Sequence, residues 1–264
     1  MPAGDPSVPV LRQRRRLART VAALGDDEWA TPSRCEQWSV QDVIAHLIGT
    51  DQFWAVSIAA GLAGTPTRYL AAFDPVATPA QMVDGLRTMA PSEVAARYLE
   101  TVETLAQLLG DLDEAAWSKP AEAPPGHIAL HALALHALWD AWIHERDIVL
   151  PLGLTPTVED DEVAGCLRYV AALGPAFLAS TGSTRRGRLS VAATDPDVAF
   201  VVDVGPTVVV SDLSAPGGGA CLDGDAVALV EGLSFRSPLN HRLAEPDRWL
   251  LGGLGQVFEV ATIS

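Results

Sequence analysis

Asp140 and His144 stand four residues apart in Asp140-Ala141-Trp142-Ile143-His144, and a further histidine, His46, lies far upstream in Gln41-Asp42-Val43-Ile44-Ala45-His46-Leu47-Ile48. Both segments have the composition of helix. Side chains four apart lie one turn apart on one helical face, so Asp140 and His144 can address a common point. If the two helices are neighbours in a bundle, His46 completes a set of two imidazoles and a carboxylate. Such a set suits a divalent metal, zinc foremost, and leaves a coordination position open for chemistry.

An aspartate and a histidine four apart are a weak signal alone, since a surface ion pair is their commoner meaning. The surroundings strengthen it. Leu130, Leu133, Leu135, Leu138, Trp139 and Trp142 crowd the same stretch, so much of that helix is expected to be buried. A buried carboxylate is costly unless paired or coordinated. His136, one turn before Asp140, is an alternative ligand. Positions four apart drift by about 40° on an ideal helix, so a His136, Asp140, His144 stripe converges poorly, and His136 is read as packed beside the site. His127 and His131 are expected to face solvent, and His241 is isolated. Glu145, Arg146 and Asp147 read as a local charge network, with Asp147 a hydrogen-bond partner for a ligand.

The elements that must position these groups follow from apolar spacing. Residues 11–24 read as a first helix. Ser39-Val40-Gln41-Asp42 is a capping-box-like start, and the helix it opens is expected to run to about residue 60. Thr78-Pro79 and Ser92-Glu93 open two more. Pro124-Pro125-Gly126 precedes a helical run over 127–149, and 157–180 forms the last helix of this half. Beyond Thr181-Gly182-Ser183 the character changes. Segments 189–192, 198–204 and 207–210 are β-branched runs bounded by Gly, Pro and Asp, so they read as strands. Residues 226–233 read as a short helix, 257–263 as a closing strand and 215–220 as a flexible loop. The expected organisation is a helical bundle over 1–182 and a small α+β domain over 183–264.

Composition narrows the partners. The 264 residues carry a formal net charge of −15, which disfavours nucleic acid and anionic membrane surfaces. An anionic substrate would need a local positive centre: a metal, an arginine or a helix N-terminus. Arg12, Arg14, Arg15, Arg16 and Arg19 cluster near the start. No apolar run follows them as in an export signal, so they read as the solvated face of the first helix. No uninterrupted apolar stretch of about 18 residues marks a membrane span. Cys35, Cys166 and Cys221 are scattered and odd in number, which fits a reducing cytoplasm better than a disulfide framework.

The stretch Thr31-Pro32-Ser33-Arg34-Cys35-Glu36-Gln37-Trp38-Ser39-Val40, continuing to His46-Leu47, resembles the start of the mycothiol-dependent maleylpyruvate isomerase family. The pattern there is a Cys, a Trp-Ser/Thr-Val, then an apolar turn ending in His-Leu. Ile143-His144-Glu145-Arg146-Asp147-Ile148 is similar to the family's second signature, a histidine with an acidic ligand four residues before it. The resemblance covers most of 10–180. It implies a DinB-like antiparallel four-helix bundle followed by a small sterol-carrier-like α+β domain, which 183–264 matches loosely. It further implies that His46, Asp140 and His144 are zinc ligands. In one departure, the family's middle ligand is usually Glu. Aspartate is shorter by one methylene, so the metal must sit closer to that helix or bind more weakly. Cys35 matches a frequent family position and reads as a small buried hydrophobe. The segment from Gly224 to Arg236 resembles the family's short helix ending in an arginine that contacts anionic substrate or thiol cofactor across the domain cleft. Arg236 is therefore expected to be catalytic and cofactor-binding; the alternative is a helix-terminal arginine favoured by the helix dipole.

The function implied is a zinc- and mycothiol-dependent isomerase or S-transferase acting on a small electrophilic, carboxylated substrate, cytoplasmic and monomeric. Trp38, Trp54, Trp139 and Trp142 could wall its cavity or simply fill the core. Two other classes stay open: a metal-dependent enzyme of the same fold that uses no thiol, and a binding module whose metal site has decayed.

Overall fold

In the computed structural model, which describes residues 5–72, 74, 77–213 and 219–252, helices and strands follow in this order. The first part contains α1 (Ser7–Ala22), the short α2 (Asp26–Trp29), α3 (Val40–Leu62), α4 (Ala77–Asp84), α5 (Pro91–Leu109), the short α6 (Glu114–Trp117), the two-stranded pair β1 (Pro120–Ala123) and β2 (Gly126–Ala129), and α7 (Leu130–Val149). The second contains α8 (Asp160–Ser180), β3 (Gly187–Thr194), β4 (Val198–Val204), β5 (Val208–Asp212), β6 (Ala220–Asp225) and α9 (Ala226–Leu233). Packing divides the chain into two units, one made of 6–123 and 127–157, the other chiefly of 158 onward.

In the first unit α1, α3, α5 and α7 form a four-helix bundle. Both α5 and α7 pack against α1 and α3. Ring contacts pair His46 with His144 and Trp54 with His136, so α3 and α7 are antiparallel. α5 runs in the same direction as α3, because Gln41 bonds to the Met89 carbonyl just before α5 while Asp51 meets Thr101 a few turns on. Parallel neighbours need a long return, which α4 and its flanking loops supply. Leu17, Ile44, Leu47, Val94, Tyr98, Val102 and Ile148 fill the centre, all essentially inaccessible.

Local signals explain the helix starts. Ser39 Oγ accepts the Asp42 N–H at 3.2 Å and the Asp42 carboxylate accepts the Ser39 N–H at 3.0 Å, the reciprocal capping box expected at this site. Pro91 occupies the first turn of α5, where its missing N–H costs nothing. α7 starts at Leu130 rather than 127, because residues 126–129 pair with 120–123 as strands around the Pro124-Pro125 turn. The Glu122 carboxylate of that pair accepts from Thr67 Oγ1 and from the backbone N–H groups of Tyr69 and Leu70, tying down the crossover after α3.

The second unit is a four-stranded sheet in the order β5-β4-β3-β6. β3 is antiparallel to β4 and parallel to β6, with Val191 opposite both Phe200 and Leu222. α8 packs on β4, β5 and α9. By packing, α8 therefore groups with the sheet rather than with the preceding helices, and helix gives way to strand inside that unit, after Ser180. β6 lies where sequence suggested loop and helix start. It is an edge strand, so its polar Asp223 and Asp225 are tolerated while Ala220 and Leu222 point inward. Asp225 then caps α9 by accepting the Ala228 N–H. The expected strand at 257–263, and residues 215–218 of the expected loop, lie outside the described residues.

Candidate metal centre

α3 and α7 face one another across the bundle, and their ligand-type side chains meet there. His46 Nε2 lies 3.8 Å and His144 Nε2 3.6 Å from Asp140 Oδ1. The two imidazole rings are edge to face with centroids 4.8 Å apart. One donor atom from each of His46, Asp140 and His144 lies within 4.8 Å of the others. Ligands about 2.0–2.1 Å from a tetrahedral zinc are roughly 3.3 Å from one another, so the two histidine–aspartate separations are within a few tenths of an ångström of what such an ion needs.

Two further observations fit a cation at this point. Asp140 Oδ2 is buried and has no hydrogen-bond partner among the described residues, an arrangement that costs free energy unless a cation or water completes it. The ring orientation of His144 is set from behind, since Asp147 Oδ2 lies 3.0 Å from Nδ1. A carboxylate can only accept, so the proton sits on Nδ1 and Nε2 is left to face Asp140. This is the outer-shell pattern typical of metal-bound histidines.

Electrostatics follow the same geometry. Burial opposes the Asp140 charge, yet the imidazoles of His46 and His144 hold its carboxyl well below the usual carboxylate range. Without a metal, burial also opposes charge on His144, but the hydrogen bonds to Asp147 and Cys35 and the charge of Asp140 push its pKa up to about 10, so a cation bound here would displace the Nε2 proton while Asp147 keeps the one on Nδ1. Burial, opposed only in part by the charge of Asp140, drives His136 the other way, down to about 4.

The loop before α3 closes one side. Arg34 N–H bonds to the Asp147 carbonyl at 3.1 Å. The Cys35 thiol donates to Asp147 Oδ2 at 3.2 Å, and its sulfur is 3.6 Å from His144 Nδ1. Cys35, read from sequence as a small buried hydrophobe, is thus a polar neighbour of a candidate ligand as well. A nucleophile–base–acid relay would place Cys35 and Asp147 on opposite ring nitrogens; here both address Nδ1. The Trp38 ring lies 5.2 Å from that of His46. Trp54 and Trp139 instead flank His136, at 4.7 and 5.5 Å, which makes it a packed histidine outside the convergent set. Trp142 is core, under the Arg146 guanidinium.

The sequence model of the Mycothiol maleylpyruvate isomerase N-terminal domain matches residues 10–149. The chain belongs to that family. The match begins inside α1, ends with α7, and so contains His46, Asp140, His144 and Asp147. Two solved structures are similar in fold over 90% of this chain and 90% of theirs. One is a mycothiol-dependent maleylpyruvate isomerase, with a TM-score of 0.62 at 17% identity. The other is a histidine-to-alanine mutant of a mycothiol-dependent maleylpyruvate isomerase, at 0.61 and 16%. No curated protein matches the chain. The similarity to the solved isomerases extends well past the family domain, so it takes in the second unit, and the two-domain α+β architecture is shared.

Arg236 lies in that second unit, just after α9 and half-buried. Its backbone N–H bonds to the Glu231 carbonyl at 2.9 Å, closing the helix, and Nη1 reaches the Ser234 carbonyl at 3.3 Å. Phe235 before it holds φ +58° and is 55% exposed.

Sequence reading missed two ion pairs of this family member. Of the arginines taken as a solvated face, Arg15 and Arg19 are exposed, but Arg14 is fully buried and forms a bidentate pair with Asp51, Nη2 to Oδ1 at 2.7 Å and Nε to Oδ2 at 3.2 Å. Arg16 forms a second bidentate pair with Glu145. The signal was available. Arg14 falls on the stripe Val10, Arg14, Leu17, Val21, and Asp51 on the stripe Ile44, Leu47, Asp51, Trp54, Ile58. One charge of each sign therefore sits in the middle of an apolar face.

Proposed function

We propose that this chain is a metal-dependent isomerase or S-transferase. It would hold a divalent cation, zinc foremost, on His46, Asp140 and His144, use mycothiol as thiol cosubstrate, and act on a small electrophilic carboxylated substrate. The observation that carries this is the convergence of the three donors from α3 and α7 on Asp140, whose Oδ1 faces both imidazoles and whose buried Oδ2 has no hydrogen-bond partner among the described residues. Membership of the family supports the thiol. When bound, such a cation lowers the pKa of a coordinated thiol and so supplies a nucleophile at neutral pH.

The chain's own residues do the rest. Asp140 contributes the anionic ligand and is ionised across the working pH range, because the two imidazoles favour its charge. Asp147 keeps the His144 tautomer that leaves Nε2 available. Trp38 packs beside the His46 ring, tilted at 46° to it, and helps fix its orientation. Arg236 is assigned the substrate or cosubstrate carboxylate, which a guanidinium binds in two-pronged fashion.

The test is metal content after purification without chelator, followed by turnover of maleylpyruvate with and without mycothiol. About one zinc per chain, lost in His46→Ala and His144→Ala, is expected to accompany thiol-dependent turnover. A folded wild-type chain that cannot be loaded with zinc overturns the reading. Turnover without any thiol would move the chain to the thiol-independent class.

A further inference from the structure

A charged pair buried in a bundle core is a poor stabiliser. Taking both charges out of water costs about as much as their attraction returns, and apolar residues of the same size often do better. Arg14 and Asp51 are 0% and 1% exposed. What the pair touches suggests why it is there. Arg14 Nη2 also donates to the Ala137 carbonyl of α7, at 3.1 Å. The preceding residue, Gln13, fully buried as well, donates to the Ala141 carbonyl of α7 at 3.0 Å and to Glu145 Oε2 at 3.1 Å. The two bonded carbonyls bracket Asp140, one turn before it and one residue after. Both are inside α7, so each takes a side-chain donor in addition to its place in the helix.

We propose that Gln13 and Arg14, with Asp51 as the counter-ion that fixes the guanidinium, are positioning residues for Asp140: they clamp the α7 backbone on both sides of it and so set where its carboxylate meets His46. This rests on the metal reading given above. Aspartate makes the clamp necessary. Its carboxyl group stands one methylene from the backbone, so a shift of α7 passes almost undiminished to the ligand oxygens. A longer side chain could absorb the shift by changing rotamer. Functional groups of this kind need placement to within about 0.5 Å. The bidentate Arg14–Asp51 geometry restricts the guanidinium, Thr101 adds a 3.5 Å contact to Asp51, and Asp51 outweighs burial to keep Arg14 charged. α3 thereby holds α1, and α1 holds α7, on a path separate from the ligands themselves.

The experiment is zinc affinity by competition with a chromogenic chelator, and the visible spectrum of the cobalt-loaded chain. Both are read alongside thermal unfolding of the metal-free chain. The double variant Arg14→Met/Asp51→Leu removes clamp and counter-ion together and leaves no orphaned charge. It is expected to unfold cooperatively at a temperature equal to or above wild type, to bind zinc about tenfold to a hundredfold more weakly, and to give an altered cobalt spectrum. Gln13→Met, which keeps the ion pair, is expected to weaken zinc in the same direction by less. It decides the matter if the double variant does not fold. Wild-type zinc affinity and an unchanged cobalt spectrum in a folded variant overturn the clamp and leave the metal site standing. Failure of the wild type to take up metal removes both.

Discussion

Asp147 and His144 are joined by a 3.0 Å contact between Oδ2 and Nδ1, one turn apart on α7. The contact decides which ring nitrogen is available to the opposite helix. Asp147→Asn keeps the size but can present an N–H to the ring, which favours the wrong tautomer. The variant is expected to fold and to bind zinc about tenfold to a hundredfold more weakly. Chelator competition at neutral pH checks this, and unchanged affinity would show the contact to be incidental.

His136 gives a pH signature of stability. Its pKa falls to about 4 in the folded chain, because burial between Trp54 and Trp139 disfavours the charge. The unfolded chain, with a value near the ordinary 6.5, binds the proton first. Stability from the neutral ring is complete above about pH 6.5 and is lost as pH falls towards 4, by an amount of order 3 kcal/mol. Urea denaturation of wild type and His136→Phe at pH 7.5 and pH 4.5 should show a smaller drop in the variant. Equal drops would place the titration elsewhere.

The capping box at the start of α3 should be measurable on its own. Ser39→Ala removes the acceptor for the Asp42 N–H and is expected to cost about 1 kcal/mol. Because His46 lies two turns further in, the helix end can fray without moving it. Chemical denaturation should register the loss while zinc affinity stays within about twofold; a collapse of metal binding would contradict this division.

Phe235 closes α9 with φ +58°, where its N–H bonds to the Gly232 carbonyl and that of Arg236 to the Glu231 carbonyl. Helices usually end this way on glycine, and a side chain there costs about 1–2 kcal/mol. With 55% of its surface exposed, the ring recovers little of that by burial. Phe235→Gly is expected to stabilise the chain by about 1 kcal/mol in urea denaturation. Destabilisation instead would mean that the ring's packing outweighs the backbone strain.

Much of the site was legible because it depends on spacing within helices. Asp140 and His144 share a face by their separation alone, and His46 sits in a run with clear helical character. The convergence of α3 and α7 was not legible from spacing; the resemblance supplied it. Arg14 was misread for a different reason. A run of arginines suggests solvent, and the apolar stripe through Val10, Leu17 and Val21 outweighs that impression only when Arg14 is placed on it. The β1 and β2 strands, four residues each around two prolines, are too short for any periodicity to register. β6 ends in Asp223-Gly224-Asp225, a composition that signals a turn, and only its pairing with β3 makes it strand.

The bundle's connectivity also has a kinetic consequence. His46 and Asp140 are brought together across α3 and α7, with the α4 crossover, α5, α6 and the β1–β2 pair lying between them in the chain. Closing so long a loop is slow and comes after local helix formation. No short fragment of this chain can assemble the donor set, so an ion is expected to enter a pocket that folding has already made. Refolding of the metal-free chain should then proceed at the same rate with or without zinc in solution. The ion should act chiefly on the reverse step, by slowing unfolding.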